Sequence, residues 1–214
     1  MAEPESELLL AAAAAYGLSL SGHQLDKLIS YVDLLEKWNR TYNLTAVRKR
    51  SEMLRRHILE SLAILPFLTG SRRLDVGTGA GLPGIPLAIA EPQSAYTLLD
   101  SNGKKTRFLS EVKRQLGLSN IELKNVRVEA WHPAQRYDAV MTRAFADLPT
   151  TLQKVDHVLG EQGSLFTMST DSIDDVTSQL PAGARVVGAE KIRVPGRDWS
   201  FNLFIIQRAQ GVNL

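Results

Sequence analysis

The feature that most constrains the fold is the regular alternation of short apolar segments with amphipathic segments after residue 70. The apolar segments predict strands: RLDVG (73–77), YTLLD (96–100), IELKNVRV (121–128), YDAVMTRA (137–144) and SLFTMS (164–169). The amphipathic segments predict helices: PGIPLAIA, KKTRFLSEVKRQLG, ADLPTTLQKVDHVLG and SIDDVTSQL. This alternation is typical of an α/β fold with a doubly wound, mostly parallel sheet and right-handed crossovers.

The end of the chain breaks this alternation. ARVVGAEKIRV (184–194) and WSFNLFIIQRA (199–209) both have strand character, and only PGRD separates them. A short turn of this composition predicts a β-hairpin. We therefore expect a seven-stranded sheet that ends in a C-terminal antiparallel hairpin.

Residues 1–70 predict helices only. An apolar stripe with helical spacing starts after Ser21, a good N-cap residue, and a second stripe runs from Glu52 to Phe67. The first stripe consists of Leu25, Leu28, Ile29, Val32, Leu35 and Trp38. We expect an N-terminal helical extension (1–70) and a ligand-binding domain (71–214).

Composition removes several classes of site. The chain has no cysteine, which excludes disulfides, thiolate metal sites and a cysteine nucleophile, and we expect no metal. Its N-terminal apolar run follows Glu3, Glu5 and Glu7, whereas a signal peptide starts with basic residues. A cytoplasmic protein without a membrane span is expected.

The strongest local motif is LDVGTGAGLPGIP (74–86), which has four glycines and two prolines in thirteen positions. Gly79, Gly81 and Gly84 give the spacing G-x-G-x-x-G between a predicted strand and a predicted helix, the usual context of a nucleotide-binding turn. Asp100 ends the next strand, where a carboxylate is suited to accept hydrogen bonds from ribose hydroxyls. The pattern favours a cofactor that contains a ribonucleoside.

Two features favour S-adenosylmethionine over a nicotinamide dinucleotide. Asp75 lies on the strand just before Gly77, where a carboxylate repels a pyrophosphate and attracts a cation. The closing hairpin is also uncommon in dinucleotide-binding domains. A nicotinamide-dependent oxidoreductase, a non-catalytic nucleotide-binding module and a small-molecule methyltransferase remain as alternatives.

The sequence also limits the atom that a methyltransferase could modify. The place of the Asn/Asp-Pro-Pro-aromatic loop of amino-group methyltransferases reads TRAFADL (142–148), and carbon-5 methylation of pyrimidines requires a cysteine. A ring nitrogen with an in-plane lone pair, such as guanine N7, needs only alignment with the methyl group. The sequence shows no recognisable acid–base catalytic motif, and this is compatible with N7 transfer.

Basic residues concentrate in the N-terminal part. Between Lys37 and Arg56 the chain has seven basic residues and one acidic residue, although the net charge is only +2. Such a run is commonly a solvated helix surface, and it is equally suited to contact RNA phosphates. The run by itself does not distinguish these two roles.

Six segments resemble a known family: YNLTAVR, HILESLAIL, LDVGTGAGLPGIPLAI, LLDSNGKKTRFL, VRVEAW and DAVMTRAFADL. In order and spacing, over about residues 20–209, they are similar to the small-subunit ribosomal RNA methyltransferase G family, also called glucose-inhibited division protein B. The resemblance implies a class I methyltransferase (Rossmann-like) fold. It also implies methyl transfer from S-adenosylmethionine to N7 of a guanine in 16S rRNA, near the decoding site of the small ribosomal subunit.

The resemblance and the motifs together supply the candidate site residues. Gly77, Leu82, Val128, Glu129 and Arg143 match cofactor-site positions of the family, and Arg143 is expected to orient the guanine without acting as a general base. The complete expected cofactor set is Asp75, Gly77, Gly79, Gly81, Leu82, Asp100, Val128, Glu129 and Arg143. The expected contacts to substrate RNA are Asn43, His57, Arg48, Lys49, Arg50, Lys104, Lys105 and Arg107. A monomer is expected.

Overall fold

A computed structural model describes residues 5–143, 147–196, 198 and 200–209. The α-helices are α1 (Glu5–Ala15), α2 (Gly22–Tyr42), α3 (Arg50–Met53), α4 (Glu60–Ala63), α5 (Gly84–Ala90), α6 (Gly103–Leu116), α7 (Leu148–Val155) and α8 (Ile173–Gln179). The strands are β1 (Arg72–Val76), β2 (Ala95–Leu99), β3 (Ile121–Lys124), β4 (Tyr137–Arg143), β5 (Leu159–Ser169), β6 (Ala184–Arg193) and β7 (Ser200–Arg208).

All seven strands form one sheet in the order β3-β2-β1-β4-β5-β7-β6. The strands from β3 to β5 pair in parallel, and β7 runs antiparallel to both β5 and β6. The predicted fold class, including the C-terminal hairpin, is confirmed. Because β1 and β4 are neighbours, Val76 pairs with Thr142, and the loop after β1 starts beside Arg143.

Side-chain alternation along the strands creates two cores. Leu74 and Val76 of β1 belong to a cluster with residues of α7 and α8 on one face of the sheet. The opposite face packs against α5, α6 and the N-terminal helices. Asp75, between the two apolar residues of β1, therefore points to the face that the N-terminal helices cover.

The N-terminal extension begins as the sequence predicts. Ser21 and Gln24 form a capping box at the start of α2, and the predicted stripe buries Leu25, Leu28, Val32 and Leu35. These side chains share a continuous hydrophobic cluster with α5 and α6. The division into two domains at residue 70 stays a prediction.

The second predicted helix has a different geometry. Instead of one α-helix, α3 leads into a π-helical turn (Leu54–Leu59), then α4 and a 3-10 turn (Leu65–Phe67). The extra residue in a π turn rotates the following side chains around the helix axis, and no local periodicity shows this.

Two predicted boundaries were wrong. The third strand ends at Lys124, and a 3-10 turn (Val128–Ala130) follows it; β5 starts at Leu159 instead of residue 164. Leu159 pairs with Tyr137 before a register shift in β4 and β5, a non-local contact that extends the strand. Residues 144–146, 197 and 199 lie outside the described residues. They belong to the predicted strand YDAVMTRA, the predicted helix ADLPTTLQKVDHVLG, the TRAFADL loop and the C-terminal hairpin.

Candidate active site

The glycine-rich loop connects β1 to α5 at the carboxyl end of the parallel sheet. Gly77, Gly79 and Gly81 have φ angles of 68°, 61° and 95°. A Cβ atom on Gly81 would lie 2.4 Å from Cγ1 of Ile85. Position 81 therefore accepts only glycine on both conformational and steric grounds.

Asp75 holds the loop in place. Its side chain is 1% exposed, and Oδ2 accepts hydrogen bonds from Thr78 Oγ1 at 2.6 Å and from the Gly84 backbone N–H at 2.8 Å. A Cβ on Gly84 would lie 2.8 Å from the same oxygen, so the carboxylate reaches the start of α5 only because residue 84 is glycine. Burial raises the pKa of Asp75 to about 6.

The second oxygen of Asp75 suits a cationic ligand. Oδ1 is buried and has no hydrogen-bond partner among the described residues. A buried carboxylate oxygen without a partner is costly, and it is accounted for by a ligand cation or a bound water. This observation fits the ammonium group at the amino-acid end of S-adenosylmethionine.

Asp100 joins the loop to the end of β2. Its Oδ2 accepts a hydrogen bond from the Gly79 N–H at 2.9 Å and lies 3.4 Å from Lys105 Nζ, while Oδ1 accepts from the Asn102 N–H at 2.8 Å. Lys105 is thus part of this group and is less suited to the RNA contact predicted for it.

A cavity of about 270 Å³ lies beside these residues. Gly77, Asp100, Val128 and Glu129 line it, so the structure brings together four of the predicted cofactor residues. Leu82 is buried in the hydrophobic cluster beneath the loop. The carboxylates of Asp100 and Glu129 both line the cavity, which is suited to a nucleoside with free ribose hydroxyls.

Sequence reasoning missed Lys154, which also lines this cavity. Lys154 Nζ on α7 lies 2.9 Å from Glu129 Oε1. The pKa of Glu129 is lowered, first by its own backbone N–H and then by Lys154. The two residues are 25 positions apart on different elements, so no local sequence signal links them.

A second cavity, of about 510 Å³, lies at the carboxyl ends of β4 and β5. Its lining includes Thr142, Arg143, Thr167, Arg56 and Glu60. The pairing of Val76 with Thr142 places this cavity next to the glycine-rich loop. It has the size expected for one base of a nucleic acid with its sugar.

Arg143 is held at this cavity by the π-helical turn. Its Nη1 donates to the Arg56 carbonyl at 3.1 Å and lies 3.8 Å from Glu60 Oε2, and its Nη2 lies 3.4 Å from His57 Nδ1. The guanidinium always carries its protons, so Nδ1 of His57 is the acceptor. The three contacts come from consecutive turns of one helical segment.

His57 is buried instead of facing RNA. It is 1% exposed, and its Nε2, which carries the hydrogen in this tautomer, lies 2.9 Å from Thr45 Oγ1. Burial, followed by the charge of Arg143, lowers the pKa of His57 to about 4. The predicted RNA contact is corrected: His57 is a neutral side chain that supports Arg143.

The basic residues of the extension have different roles. Arg50 forms ion pairs with Glu5 at 2.5 Å, Asp33 at 2.6 Å and Glu36 at 3.5 Å, which leaves it poorly suited to the predicted RNA contact. Asn43 caps α2 with φ 49° and accepts a hydrogen bond from Arg48 at 2.7 Å.

The exposed cations of the predicted RNA set are the ones that remain suited to RNA. They are Arg48, Lys49, Lys104 and Arg107. In the part of the chain that the structure describes, no group of three or more His, Asp or Glu side chains has metal-binding geometry. None of the described helices has the length and hydropathy needed to cross a membrane.

The strand order, the glycine-rich turn after β1 and the acidic residue after β2 define a class I methyltransferase fold. Solved structures with this fold include ribosomal protein L11 methylase from Lactobacillus delbrueckii subsp. bulgaricus, with TM-score 0.54, 16% identity, and coverage of 72% of this chain and 79% of that one. Magnesium protoporphyrin IX methyltransferase from Synechocystis, with bound SAM, has TM-score 0.57 and 14% identity, covering 89% and 99%.

The sequence comparisons identify the family. Residues 24–199 match the family model for rRNA small subunit methyltransferase G (GidB), and the chain belongs to this family. It is 45% identical to ribosomal RNA small subunit methyltransferase G of Hydrogenovibrio crunogenus, over 98% of this chain and 99% of the relative. The Escherichia coli K12 relative is also 45% identical, over 89% and 92%.

These matches confirm the predicted family, the fold class and the assignment as a methyltransferase. They also support S-adenosylmethionine, because the class is defined by this methyl donor and a neighbour with the same fold was solved with it bound. The roles of individual site residues stay predictions.

Proposed function

We propose that this protein transfers a methyl group from S-adenosylmethionine to N7 of a guanine in 16S rRNA, near the decoding site of the small ribosomal subunit. The observation that carries the proposal is 45% identity, over almost the whole chain, to a ribosomal RNA small subunit methyltransferase G. Two cavities at the carboxyl end of the sheet support it, since one suits an adenosyl cofactor and the other a base.

S-adenosylmethionine, when bound, supplies a methyl group on a positively charged sulfur. Asp100 would accept hydrogen bonds from its ribose hydroxyls, and Glu129 and Val128 would contact its adenosine end. Asp75 Oδ1, which is buried and has no hydrogen-bond partner within the described part of the chain, would face its ammonium group directly or through water. The glycine-rich loop allows the main chain to approach the cofactor closely.

The protein contributes mainly orientation to the transfer. Guanine N7 has a free lone pair in the plane of the ring, so no side chain has to remove a proton before it attacks. Arg143 lies at the base-sized cavity, where its guanidinium is suited to donate hydrogen bonds to guanine O6. Fixing this side chain through His57, Arg56 and Glu60 reduces the entropy lost in aligning the base.

The exposed cations contribute the contact to RNA. Arg48 and Lys49 follow α2, and Lys104 and Arg107 lie on the first turns of α6, which starts at the same edge of the sheet as the cofactor cavity. We include these four residues in the proposed RNA surface and leave out Arg50, His57 and Lys105. A cytoplasmic monomer is part of the same proposal.

The test is methyl transfer to small ribosomal subunits isolated from cells that lack the modification. The subunits are incubated with the protein and S-adenosylmethionine labelled in the methyl group, and the RNA is digested to nucleosides. We expect the label in 7-methylguanosine from 16S rRNA. Label in another nucleoside would contradict the proposed atom. An absence of label from RNA together with tight S-adenosylhomocysteine binding would favour a small-molecule substrate.

A further inference from the structure

The 3-10 turn Val128–Ala130 forms one wall of the cavity of about 270 Å³, and the side chain of a histidine contacts its backbone. His157 Nε2 lies 3.0 Å from the carbonyl oxygen of Val128 and 2.9 Å from that of Trp131. Both partners are acceptors, so Nε2 carries a hydrogen and donates to both. The imidazole thereby ties the turn to the segment that follows α7.

This contact acts together with the hydrogen bond of the turn itself, from the Trp131 N–H to the Val128 carbonyl at 3.0 Å, to direct the next peptide group. The peptide between Val128 and Glu129 is trans, so its C=O and N–H point in opposite directions. With the carbonyl directed at His157, the Glu129 N–H is directed away from His157. Val128 and Glu129 line the cavity, whereas His157 is not among its lining residues. The N–H therefore lies on the cavity side of the turn.

The Glu129 N–H is available to a ligand. The carboxylate of Glu129 itself interacts with this N–H. That side chain is 42% exposed, so it is able to rotate away and be replaced by a ligand. A backbone N–H donor at the edge of a flat cavity is complementary to a ring nitrogen of adenine, which is an acceptor.

Other residues hold this turn through its side chains. Lys154 contacts the carboxylate of Glu129, and Lys124 Nζ lies 4.4 Å from the centre of the Trp131 ring. Neither of these side-chain contacts orients the peptide group; among side chains, His157 reaches the Val128 carbonyl, which also accepts the Trp131 N–H. His132 packs its ring on His157 with centroids 5.2 Å apart and is exposed, which makes it a matched control.

We propose that His157 is a positioning residue for the adenosine end of S-adenosylmethionine: it fixes the Val128–Glu129 peptide so that the Glu129 N–H faces the adenine. The inference rests on the proposed function, since it takes S-adenosylmethionine as the ligand of this cavity. His157 acts through the backbone and contacts neither the cofactor nor the reacting atoms.

The test is calorimetric binding of S-adenosylhomocysteine and of 5′-methylthioadenosine, which lacks the amino-acid end. His157→Leu removes the donor, and His157→Gln keeps an N–H at a similar reach. We expect His157→Leu to raise the Kd for both ligands about tenfold, the loss of about one well-placed hydrogen bond. His157→Gln should restore most of the affinity, and His132→Phe should bind as the unsubstituted protein does.

Kinetics separate positioning from a general loss of structure. In His157→Leu the KM for S-adenosylmethionine should rise about tenfold, while kcat at saturating S-adenosylmethionine stays within about twofold. If His157→Leu proves unstable in thermal unfolding, His157→Asn provides a polar side chain too short to reach both carbonyls, and the same loss of affinity is expected.

Unchanged affinity in the folded His157→Leu or His157→Asn variant would overturn this inference and leave the proposed function intact. Failure of His157→Gln to bind better than His157→Leu would also overturn it. If the unsubstituted protein bound neither ligand, the proposed function itself would be contradicted, and this inference with it.

Discussion

At the scale of single residues, Asp75 and His57 are buried ionisable groups whose pKa values move away from their ordinary values in opposite senses. Burial raises the pKa of Asp75 from 3.8 to about 6, and burial with the Arg143 charge lowers that of His57 from 6.5 to about 4. Between about pH 4 and 6 the folded state holds an extra proton on Asp75 and lacks one on His57. Their contributions to the pH dependence of unfolding therefore largely cancel.

Substituting Asp75 separates the two contributions. The raised pKa of Asp75 means that its ionisation destabilises the folded state by about 3 kcal/mol as pH rises from about 4 to above 6. Asp75→Asn keeps one oxygen for Thr78 and Gly84, since a single carboxylate oxygen accepts both bonds. We expect the variant to be more stable than the parent at pH 7.5, measured by urea unfolding.

The same variant should bind the cofactor less well. The amide places an N–H₂ group where Asp75 Oδ1 now lies, and this group repels an ammonium. We expect the Kd for S-adenosylhomocysteine to rise about tenfold and that for 5′-methylthioadenosine to stay unchanged. Equal losses for both ligands would contradict the placement of the ammonium at Asp75.

His57 gives a second prediction, on kinetics. His57→Leu removes the acceptor that Arg143 Nη2 meets and leaves the guanidinium held only through Nη1, by Arg56 and Glu60, so that it is oriented less tightly. We expect kcat/KM for the small subunit to fall about tenfold, a loss of about 1.4 kcal/mol in transition-state stabilisation, with the Kd for S-adenosylhomocysteine unchanged. His23→Leu, at the start of α2, serves as the control. Parental kcat/KM in His57→Leu would show that Arg143 needs no such support.

At the scale of elements, α2 supports the glycine-rich loop. Tyr31 is fully buried, and its hydroxyl donates to the Ala80 carbonyl at 2.7 Å. Gln24 Nε2 donates to the carbonyls of Ile89 and Ala90 at the end of α5. The extension therefore contacts both the loop and the helix that follows it, in addition to carrying basic residues.

Tyr31→Phe tests this support. It leaves the Ala80 carbonyl buried without its donor, which costs about 1–3 kcal/mol. We expect a Tm lower by several degrees and a several-fold weaker affinity for S-adenosylhomocysteine, measured by calorimetry. Tyr42→Phe, at an exposed ring on the same helix, should change neither quantity. A loss of stability without a loss of affinity would indicate that the loop keeps its shape without α2.

At the scale of the whole molecule, the net charge of +2 conceals an uneven distribution. Exposed cations follow α2 and begin α6, while Arg50 in the same run is neutralised by three carboxylates. Binding to RNA should therefore depend on a few cations and not on the overall charge.

Replacing Arg48, Lys49, Lys104 and Arg107 with alanine should weaken binding to 16S rRNA. Each phosphate contact contributes about −0.7 to −0.9 to the slope of log K against log salt, so the four substitutions should reduce the slope by about 3. The measurement is filter binding across a salt series. Arg185→Ala with Lys191→Ala, on the edge strand β6, removes exposed cations far along the sheet order and should leave the slope unchanged.

The parts of the site that lie close together in the sequence were predictable. The turn from β1 to α5 and the acidic residue after β2 follow from short motifs, because a strand, a glycine-rich turn and a helix form within the short stretch from Arg72 to Ala90. The different surroundings of Arg48, which is exposed, and Arg50, which is ion-paired, were not predictable. They depend on whether a carboxylate from α1 or α2 lies within reach, and charge counting does not contain that information.

The sequence by itself determined the family, the sheet with its closing hairpin and the position of the glycine-rich loop, because hydrophobic periodicity and glycine spacing act over short stretches of chain. Only the tertiary structure decided that His57 is neutral and buried, that Lys154 and His157 contact the turn at Glu129, and that a π turn and the start of α4 together deliver three contacts to Arg143. These properties depend on burial and on distances between residues far apart in the chain. Both arise only when the helices pack on the sheet.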